Sequence, residues 1–263
     1  MIQRSDWLDK LKGLRRNDAD VRLEAPLQQG SRGGSGAFLG LGSDQQRYWI
    51  KPLNNIQGIR VPVTEQIVGR IGFLIEAPIC IVHTIEIPSE FVGWEFRSGR
   101  KLEAGIAHGS KHIDQVADVG GMDRRNNDDN ARRHARMMAL FDWCWGGDQQ
   151  GLVALADESR YYSHDHGWYL PPEGPTWDVA SLEATVDAPH EYSAPKDGIT
   201  SAIVDEILEK LLAVQRSQLC DALACIPATW PVTDAELECA GFFLERRAAA
   251  VAARIAERFR GAV

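Results

Sequence analysis

The alternation of apolar and polar positions divides the chain into a strand-rich first part and a helical second part. The segments "RYWIKPL" and "APICIVHTIEIP" are rich in β-branched and aromatic residues and are bounded by proline, which is typical of strands. Between them, apolar residues recur at helical spacing, at Val63, Ile67, Ile71 and Leu74. This pattern predicts a strand, a helix and a strand, with room for one more strand before Gly30.

The second part begins after a polar, glycine-bearing stretch, residues 96–130, which we interpret as a connector ending in a helix cap. Three segments beyond it have helical periodicity: "ARRHARMMALFDWCW", "TSAIVDEILEKLLAVQRSQLCDAL" and "TDAELECAGFFLERRAAAVAARIAERF". The last opens with the spacing of a capping box, from Thr233 to Glu236. Residues 171–200 are rich in Pro, Gly and Asp and predict a long loop.

A β-rich part followed by a helical part predicts an α+β fold of two lobes with a cleft between them. We assign residues 1–100 to the β-rich N-terminal lobe and residues 101–263 to the helical C-terminal lobe. The chain has 263 residues, of which 44% are hydrophobic, so it can bury a sizeable core.

Charge and cysteine content narrow the class of protein. The formal net charge of −8 argues against a general nucleic-acid binder. The five cysteines form no CxxC pair, which indicates reduced thiols in a cytoplasmic protein. The N-terminus has no apolar signal segment, and the apolar runs are too short to span a membrane, so we expect no membrane partner.

A glycine-dense segment, residues 30–36, precedes the strand that ends at Lys51. Backbone N–H groups of such a loop can approach phosphate oxygens, and a strand lysine adds a positive charge for them. Glu65, on the following helix, is the candidate partner of that lysine. This order is the one used in protein-kinase-type nucleotide sites. A flexible hairpin followed by a solvated lysine would give the same pattern. The sequence has no P-loop motif and no dinucleotide-binding fingerprint.

Two acidic residues, Asp148 and Asp165, are candidates for the remaining roles of phosphoryl transfer. One acid positions the attacking hydroxyl, and another holds Mg²⁺ against the phosphates. Asp148 follows a helix and a Gly-Gly pair, and Asp165 follows a short predicted strand, "RYYSH". Alternatively, Asp148 is only a helix C-terminal turn residue, and His164 with His166 forms part of a zinc site or a plain turn.

With these motifs in order, the sequence resembles the HipA-like kinase family, bacterial serine/threonine kinases with a protein-kinase-like fold. The resemblance covers most of residues 30–170 and rests on four segments: "YWIKPLNNIQGIRVPVTEQIVGRIGFLIEAPICIVHTIEIP", "GIAHGSKH", "FDWCWGGDQQ" and "YYSHDHGWYLP".

The resemblance implies a role for each candidate residue. Lys51 matches the phosphate-binding lysine and Glu65 its helix partner, while Asp148 matches the catalytic-loop aspartate and Asp165 the metal-binding aspartate. The implied cofactors are ATP and Mg²⁺, and the implied substrate is a protein hydroxyl. The residues expected to bind the nucleotide are Gly30, Ser31, Gly33, Gly34 and Lys51.

One departure from the family pattern opens an alternative. The family carries an Asn five residues after the catalytic aspartate, and Val153 stands there in this chain. Gln149 or Gln150 could supply an amide oxygen to Mg²⁺ instead, and we select Gln150. Three hypotheses follow: an active ATP-dependent kinase, a pseudokinase that binds nucleotide or a partner without phosphoryl transfer, and a metal-dependent hydrolase that uses His164, Asp165 and His166.

Overall fold

The computed structural model describes residues 2–29, 36–172 and 174–260, which form a mixed α+β fold. The strands in these ranges are β1 (Val21–Gln29), β2 (Phe38–Gly42), β3 (Arg47–Lys51), β4 (Val82–Ile87), β5 (Glu95–Arg97), β6 (Arg100–Lys101), β7 (Gly105–Lys111), β8 (Val116–Val119), β9 (Gln150–Ala154) and β10 (Arg160–His164). The helices are α1 (Val61–Leu74), α2 (Asn130–Trp143), α3 (Val179–Thr185), α4 (Ser201–Ala213), α5 (Arg216–Ala224) and α6 (Asp234–Arg260), with short 3-10 helices at Arg4–Trp7 and Ser89–Phe91.

Five strands close into a barrel in the order β1-β2-β3-β7-β4. The closing contact is parallel and pairs Val21 with Ile85 on β1 and β4. Because side chains alternate across a strand, Tyr48 and Ile50 of β3 face the barrel interior while Lys51 lies on the outer face. The barrel core consists of Val21, Leu23, Phe38, Tyr48, Ile50, Ile85, Ile87, Phe96, Leu102 and Ala107.

The interpretation of residues 96–130 as a connector is wrong, because this stretch contains β7, which lies between β3 and β4 in the barrel. The glycines of "GIAHGSK" are typical of a loop, yet Gly109 is needed for the packing of the sheet. A Cβ at Gly109 would lie 2.5 Å from Ile85 Cγ1, so the close packing of β4 on β7 requires a residue without a side chain.

Helix α1 confirms the predicted apolar face and covers the outside of the barrel. Pro62 stands in its first turn, where a missing N–H costs nothing. Val63, Ile67 and Ile71 are fully buried, while Leu74 is half-buried. These buried residues belong to the main core, the large cluster that also includes apolar side chains of α2, α4, α5 and α6. The helix therefore packs on the barrel and on the helical part together.

Beside the barrel, β5 and β6 form a two-stranded sheet, and a three-stranded sheet has the order β10-β9-β8. Its strand β10 confirms the strand predicted from "RYYSH". The helix predicted from "ARRHARMMALFDWCW" is also confirmed, as α2. Between α2 and β9 the chain passes through Asp148, and Gln150 pairs with His164 across β9 and β10.

The C-terminal part is helical as predicted, with two differences. The amphipathic segment at residues 200–223 is divided into α4 and α5, because the backbone at Val214 is extended. The predicted long loop at residues 171–200 contains α3, which Asp178 caps by accepting a hydrogen bond from Ser181 N at 2.8 Å. The capping box at the start of α6 is confirmed, since Thr233 N donates to Glu236 Oε2 at 2.8 Å and Glu236 N to Thr233 Oγ1 at 3.2 Å.

The arrangement as two lobes and the division at residue 100 stay predictions, although β7 places part of the barrel beyond that boundary. None of the helices in the described ranges combines the length and the apolar character that a membrane span needs.

Candidate functional site

Lys51 is held between two carboxylates on the outer face of the barrel. Its Nζ donates to Glu65 Oε1 and to Asp165 Oδ1, and it forms an ion pair with each. Lys51 ends β3, Glu65 lies in the second turn of α1, and Asp165 directly follows β10. Three elements that are far apart in the sequence thus meet at one ammonium group.

The charges of this cluster are shielded from water. The exposed fraction of the side chain is 8% for Lys51, 3% for Glu65 and 16% for Asp165. Burial by itself lowers the pKa of Lys51, but the two carboxylates outweigh it and raise the pKa above its usual range. Burial likewise would raise the pKa of Glu65, and the Lys51 ammonium keeps that pKa below the usual range. Lys51 and Glu65 are therefore both charged at neutral pH.

The backbone turns sharply at Asp165, where φ is +58°. The turn ends β10, and it directs His166 inward, where its ring nitrogen Nε2 lies 2.9 Å from Ser163 Oγ and its backbone N–H donates to Glu65 Oε2 at 3.0 Å. The alternation expected for a strand therefore stops before His166. Within the described ranges, His, Cys, Asp and Glu side chains form no group of three or more that could hold a metal ion.

Asp148 lies in the turn between α2 and β9, and its side chain is exposed. Gln150 Nε2 donates to Asp148 Oδ2 at 2.7 Å and orients the carboxylate. The preceding residue, Gly147, packs against the carbonyl oxygen of Trp168, where a Cβ would clash. This close approach places the Asp148 turn beside the segment that follows Asp165. In the described part of the chain, no hydrogen bond or ion pair joins Asp148 to Lys51 or Asp165.

The glycine loop, with Gly30, Ser31, Gly33 and Gly34, lies outside the described residues, so its predicted contact with a nucleotide stays a prediction. The loop follows β1 and precedes β2, which pairs with β3 and hence with the strand of Lys51.

A known family of proteins matches part of the chain. Residues 25–149 match the model of the HipA-like kinase family. This match confirms the resemblance seen in the sequence and supports a kinase-type function. The HipA-like region contains Lys51, Glu65 and Asp148, whereas Asp165 and Gln150 lie beyond its end.

A solved structure has a similar fold. The crystal structure of the Helicobacter pylori proinflammatory kinase CtkA superimposes with a TM-score of 0.57 and 10% sequence identity, over 91% of this chain and 96% of that chain. At this identity the likeness concerns the fold. No curated protein matches the sequence.

The HipA-like region ends just before the position at which this chain departs from the family. Val153 lies within β9, opposite Tyr161, and is 1% exposed, so the side chain at this position cannot reach a ligand. The side-chain amide of Gln149 is already hydrogen-bonded within the protein. Its Oε1 accepts from the hydroxyl of Tyr169 at 2.8 Å, and its Nε2 donates to the hydroxyls of Tyr161 and Ser163. Gln150 is the glutamine whose amide stands beside Asp148.

Asp165 and Gln150 each have an oxygen atom of a type that binds Mg²⁺. Asp165 uses one carboxylate oxygen for Lys51, and Gln150 uses its amide nitrogen for Asp148. Among the described residues no hydrogen bond reaches the second oxygen of Asp165 or the amide oxygen of Gln150. A carboxylate and an amide oxygen are the donor types that this hard cation prefers, and Mg²⁺ takes its other ligands from water and phosphate. The donor set therefore fits the metal.

No role was predicted for His108, although "GIAHGSKH" carries part of the resemblance. His108 is the cross-strand partner of Lys51 and is fully buried. Its neighbour Gln66, which follows Glu65 on α1, is fully buried too. The signal available in the sequence is a histidine within an otherwise small-residue strand, and it becomes meaningful only when the pairing of β3 with β7 is known.

Proposed function

We propose that the chain is an ATP- and Mg²⁺-dependent phosphotransferase that acts on a serine or threonine hydroxyl of a protein substrate. The observation that carries the proposal is the buried Lys51, paired with Glu65 from a helix and with Asp165 from the end of a strand. A HipA-like match over residues 25–149 supports the same class of reaction.

Lys51 is the residue that contacts the phosphates. An ammonium has three donors, and two of them are used by Glu65 and Asp165. Glu65 keeps the ammonium in place, because its other oxygen is fixed by His166 N. A nucleotide phosphate would take the free donor and compete with Asp165 for another. The glycine loop, residues 30–36, would cover the same phosphates through its backbone N–H groups.

Asp165 and Gln150 are the residues that would hold Mg²⁺, which neutralises phosphate charge during transfer. Asp165 lies where its carboxylate can face both Lys51 and the solvent-accessible side of the site, since 16% of its side chain is exposed. Gln150 stands on the neighbouring strand, paired with His164.

Asp148 is the residue that accepts or orients the hydroxyl proton of the acceptor. Its carboxylate is exposed and is held by one hydrogen bond from Gln150, so it is accessible to a substrate and yet oriented. A positioned acid or base contributes about 10²–10⁴-fold to the rate.

The second candidate function is that of a pseudokinase, which binds nucleotide or a partner protein without transfer. One observation favours it: Val153 is buried where the family has an asparagine. Transfer activity decides between the two candidates.

Nucleotide binding is tested first, by titrating a non-hydrolysable ATP analogue with Mg²⁺ in a calorimeter. We expect binding to the wild type and a loss of at least tenfold in affinity for Lys51→Ala. Lys101→Ala, at an exposed lysine of β6, is the matched control and should bind like the wild type. Equal affinities of the Lys51→Ala and wild-type proteins would remove Lys51 from the site.

Transfer is tested with ATP labelled at the γ-phosphate and a bacterial lysate as the source of acceptors. Asp148→Asn should bind the analogue like the wild type and transfer about 10²-fold more slowly. If the wild type binds but does not transfer, and Asp148→Asn is indistinguishable from it, the pseudokinase is the correct function.

A further inference from the structure

His108 lies directly beside the candidate phosphate-binding lysine. In the barrel it pairs with Lys51 on one side and with Thr84 on the other. Paired residues of neighbouring strands share a face, so the imidazole lies on the outer face of the barrel, under α1. Its side chain is completely buried.

The hydrogen bonds around Gln66 determine which ring nitrogen of His108 carries the proton. Arg70 Nε donates to Gln66 Oε1 at 3.0 Å, so the amide nitrogen of Gln66 points the other way. That nitrogen donates to the carbonyl of His83 at 2.7 Å and lies 3.0 Å from His108 Nδ1. His108 Nδ1 is therefore an acceptor, and in the neutral ring the proton lies on Nε2.

The orientation of Gln66 is in turn fixed from the edge of the barrel. Arg70 Nη2 donates to Asp20 Oδ2 at 2.8 Å, and the same oxygen accepts the backbone N–H of Thr84 at 2.9 Å. Thr84 pairs with His108 on the neighbouring strand, so the network that begins at His108 Nδ1 also ends beside His108. The tautomer of His108 is thus set by groups whose own positions are fixed.

The Nε2–H of His108 has no hydrogen-bond partner within the described residues, although it is buried. The carboxylate oxygen Glu65 Oε2 lies 3.9 Å from His108 Nε2. Burial and then the positive charge of Lys51 lower the pKa of His108 well below its usual range, so the ring is neutral at pH 7. A buried donor that lies 3.9 Å from a carboxylate oxygen without bonding to it is costly.

The present partner of Glu65 Oε2 explains why a second donor is useful. That oxygen accepts His166 N at 3.0 Å, and His166 adjoins Asp165. In the proposed function Asp165 turns from Lys51 toward Mg²⁺, and a backbone change at Asp165 that reached His166 would draw its N–H away from Glu65 Oε2. Glu65 would then lose the bond that orients it, at the moment when Lys51 must be held for the phosphates.

We propose that His108 is a positioning residue whose Nε2–H takes over Glu65 Oε2 when Asp165 leaves Lys51. The donor stands on β7, between β3 and β4 of the barrel, and not on the segment that carries Asp165 and His166. This role rests on the proposed function, in which Asp165 exchanges Lys51 for the metal.

The first experiment needs no nucleotide and uses ¹⁵N-labelled imidazole signals of the whole chain at pH 7. We expect His108 of the wild type to be neutral with its proton on Nε2. In Asp165→Ala, which removes the carboxylate from Lys51, the Nε2 proton signal should move downfield because it now bonds to Glu65. Asp118→Ala, at an exposed carboxylate of β8, is the control and should leave the signal unchanged. A proton on Nδ1, or an unchanged signal in Asp165→Ala, overturns the proposal.

The second experiment compares two substitutions at the same site. His108→Gln retains a donor at the place of Nε2, whereas His108→Leu removes it. We expect His108→Gln to bind the non-hydrolysable ATP analogue with Mg²⁺ within about threefold of the wild type, and His108→Leu to bind about tenfold more weakly. Equal affinities of the two folded variants overturn the proposal. If His108→Leu does not fold, an affinity of His108→Gln more than tenfold below that of the wild type does so instead.

A wild type that binds no nucleotide would refute the proposed function, and the imidazole signals of Asp165→Ala would still decide the role of His108. The two failures are therefore distinguishable.

Discussion

Two buried clusters of charge in this molecule have opposite composition. In the first, the cation Lys51 contacts two carboxylates, Glu65 and Asp165. In the second, the carboxylate of Asp142 contacts two guanidinium groups, Arg247 at 2.8 Å and Arg254 at 2.7 Å. The first has one negative charge in excess and the second one positive charge.

The excess charge of the second cluster is compensated by the backbone. Arg247 donates to the carbonyl groups of Trp143, Thr185 and Ala188 as well as to Asp142, and its side chain is 1% exposed. These bonds join α2 and α6 to the last residue of α3 and to the residues that follow it. The backbone carbonyl oxygens that accept from Arg247 stabilise the excess positive charge within the protein.

In the described part of the chain the backbone compensates the excess charge of the Lys51 cluster only at Glu65, which accepts the N–H of His166, and not at Asp165. The uncompensated charge lies at Asp165. The second carboxylate oxygen of Asp165 accepts no hydrogen bond from the described residues, and its side chain is partly exposed. The Asp142 cluster thus balances its excess charge within the protein, whereas the Lys51 cluster leaves part of its excess at an accessible oxygen. In the proposed function that oxygen binds Mg²⁺, a ligand of opposite charge.

The largest effect on stability is expected from Arg247→Ala. This change leaves Asp142 with one partner and several carbonyl groups without donors, so the free energy of unfolding should fall by about 3–5 kcal/mol. Denaturation in urea measures the change. Arg246→Ala is the matched control, because Arg246 pairs with the exposed Asp187 and should contribute about 1 kcal/mol or less. Similar losses in the two variants would contradict the structural role of the second cluster.

Lys51→Met should have the next largest effect, about 3 kcal/mol at pH 7, because it leaves two carboxylates facing each other. In the wild type the pKa of Glu65 is lowered, so its stabilisation is present above the unfolded-state pKa of about 4.3 and is lost as the pH falls through the folded-state value. In the variant, burial raises that pKa instead. The difference in unfolding free energy should therefore shrink between pH 7 and pH 4. A difference independent of pH would show that Glu65 is not the responsible group.

Asp165→Asn should separate stability from binding. The substitution leaves one lysine with one carboxylate, so the unfolding free energy should stay unchanged or rise by about 1 kcal/mol, as is common when a functional site is neutralised. Mg²⁺-dependent binding of an ATP analogue should nevertheless fall at least tenfold. A clear loss of stability in Asp165→Asn would place this cluster in the same structural class as Asp142.

Gln150→Ala should have the smallest effect on stability, below about 0.5 kcal/mol, since the side chain is only half-buried. It should raise the Mg²⁺ concentration for half-maximal phosphate transfer by roughly tenfold. Gln149→Ala, which removes bonds to Tyr161 and Tyr169, should instead lower stability more than metal affinity. The opposite ranking would indicate that Gln149 holds the metal.

These clusters also show what sequence patterns predict well. Periodicity identified α1 and α2, and β-branched residues identified β3 and β4, because each signal is local. Lys51 and Glu65 were paired correctly from the order of their elements. The capping box of α6 was found because its two residues, Thr233 and Glu236, are only three positions apart.

Other parts depend on contacts between distant segments. Strand β7 was missed because Gly109, required by Ile85 of another strand, is locally a loop signal. The pairing of Asp142 with Arg247 joins residues 105 positions apart, and nothing in the spacing marks it. His108 acquires its partner only through the register of β3 and β7.

Helix α6 connects the surroundings of both clusters. Its 27 residues extend over about 40 Å at 1.5 Å per residue. Near its start, Glu236 accepts from Arg60, the residue before α1, and near its end Arg254 holds Asp142 of α2. Local opening of either end would break both an ion pair and the helix itself. The amide protons of α1, α2 and α6 should therefore exchange with solvent only through one shared opening, so that these three helices form a single cooperative unit of unfolding.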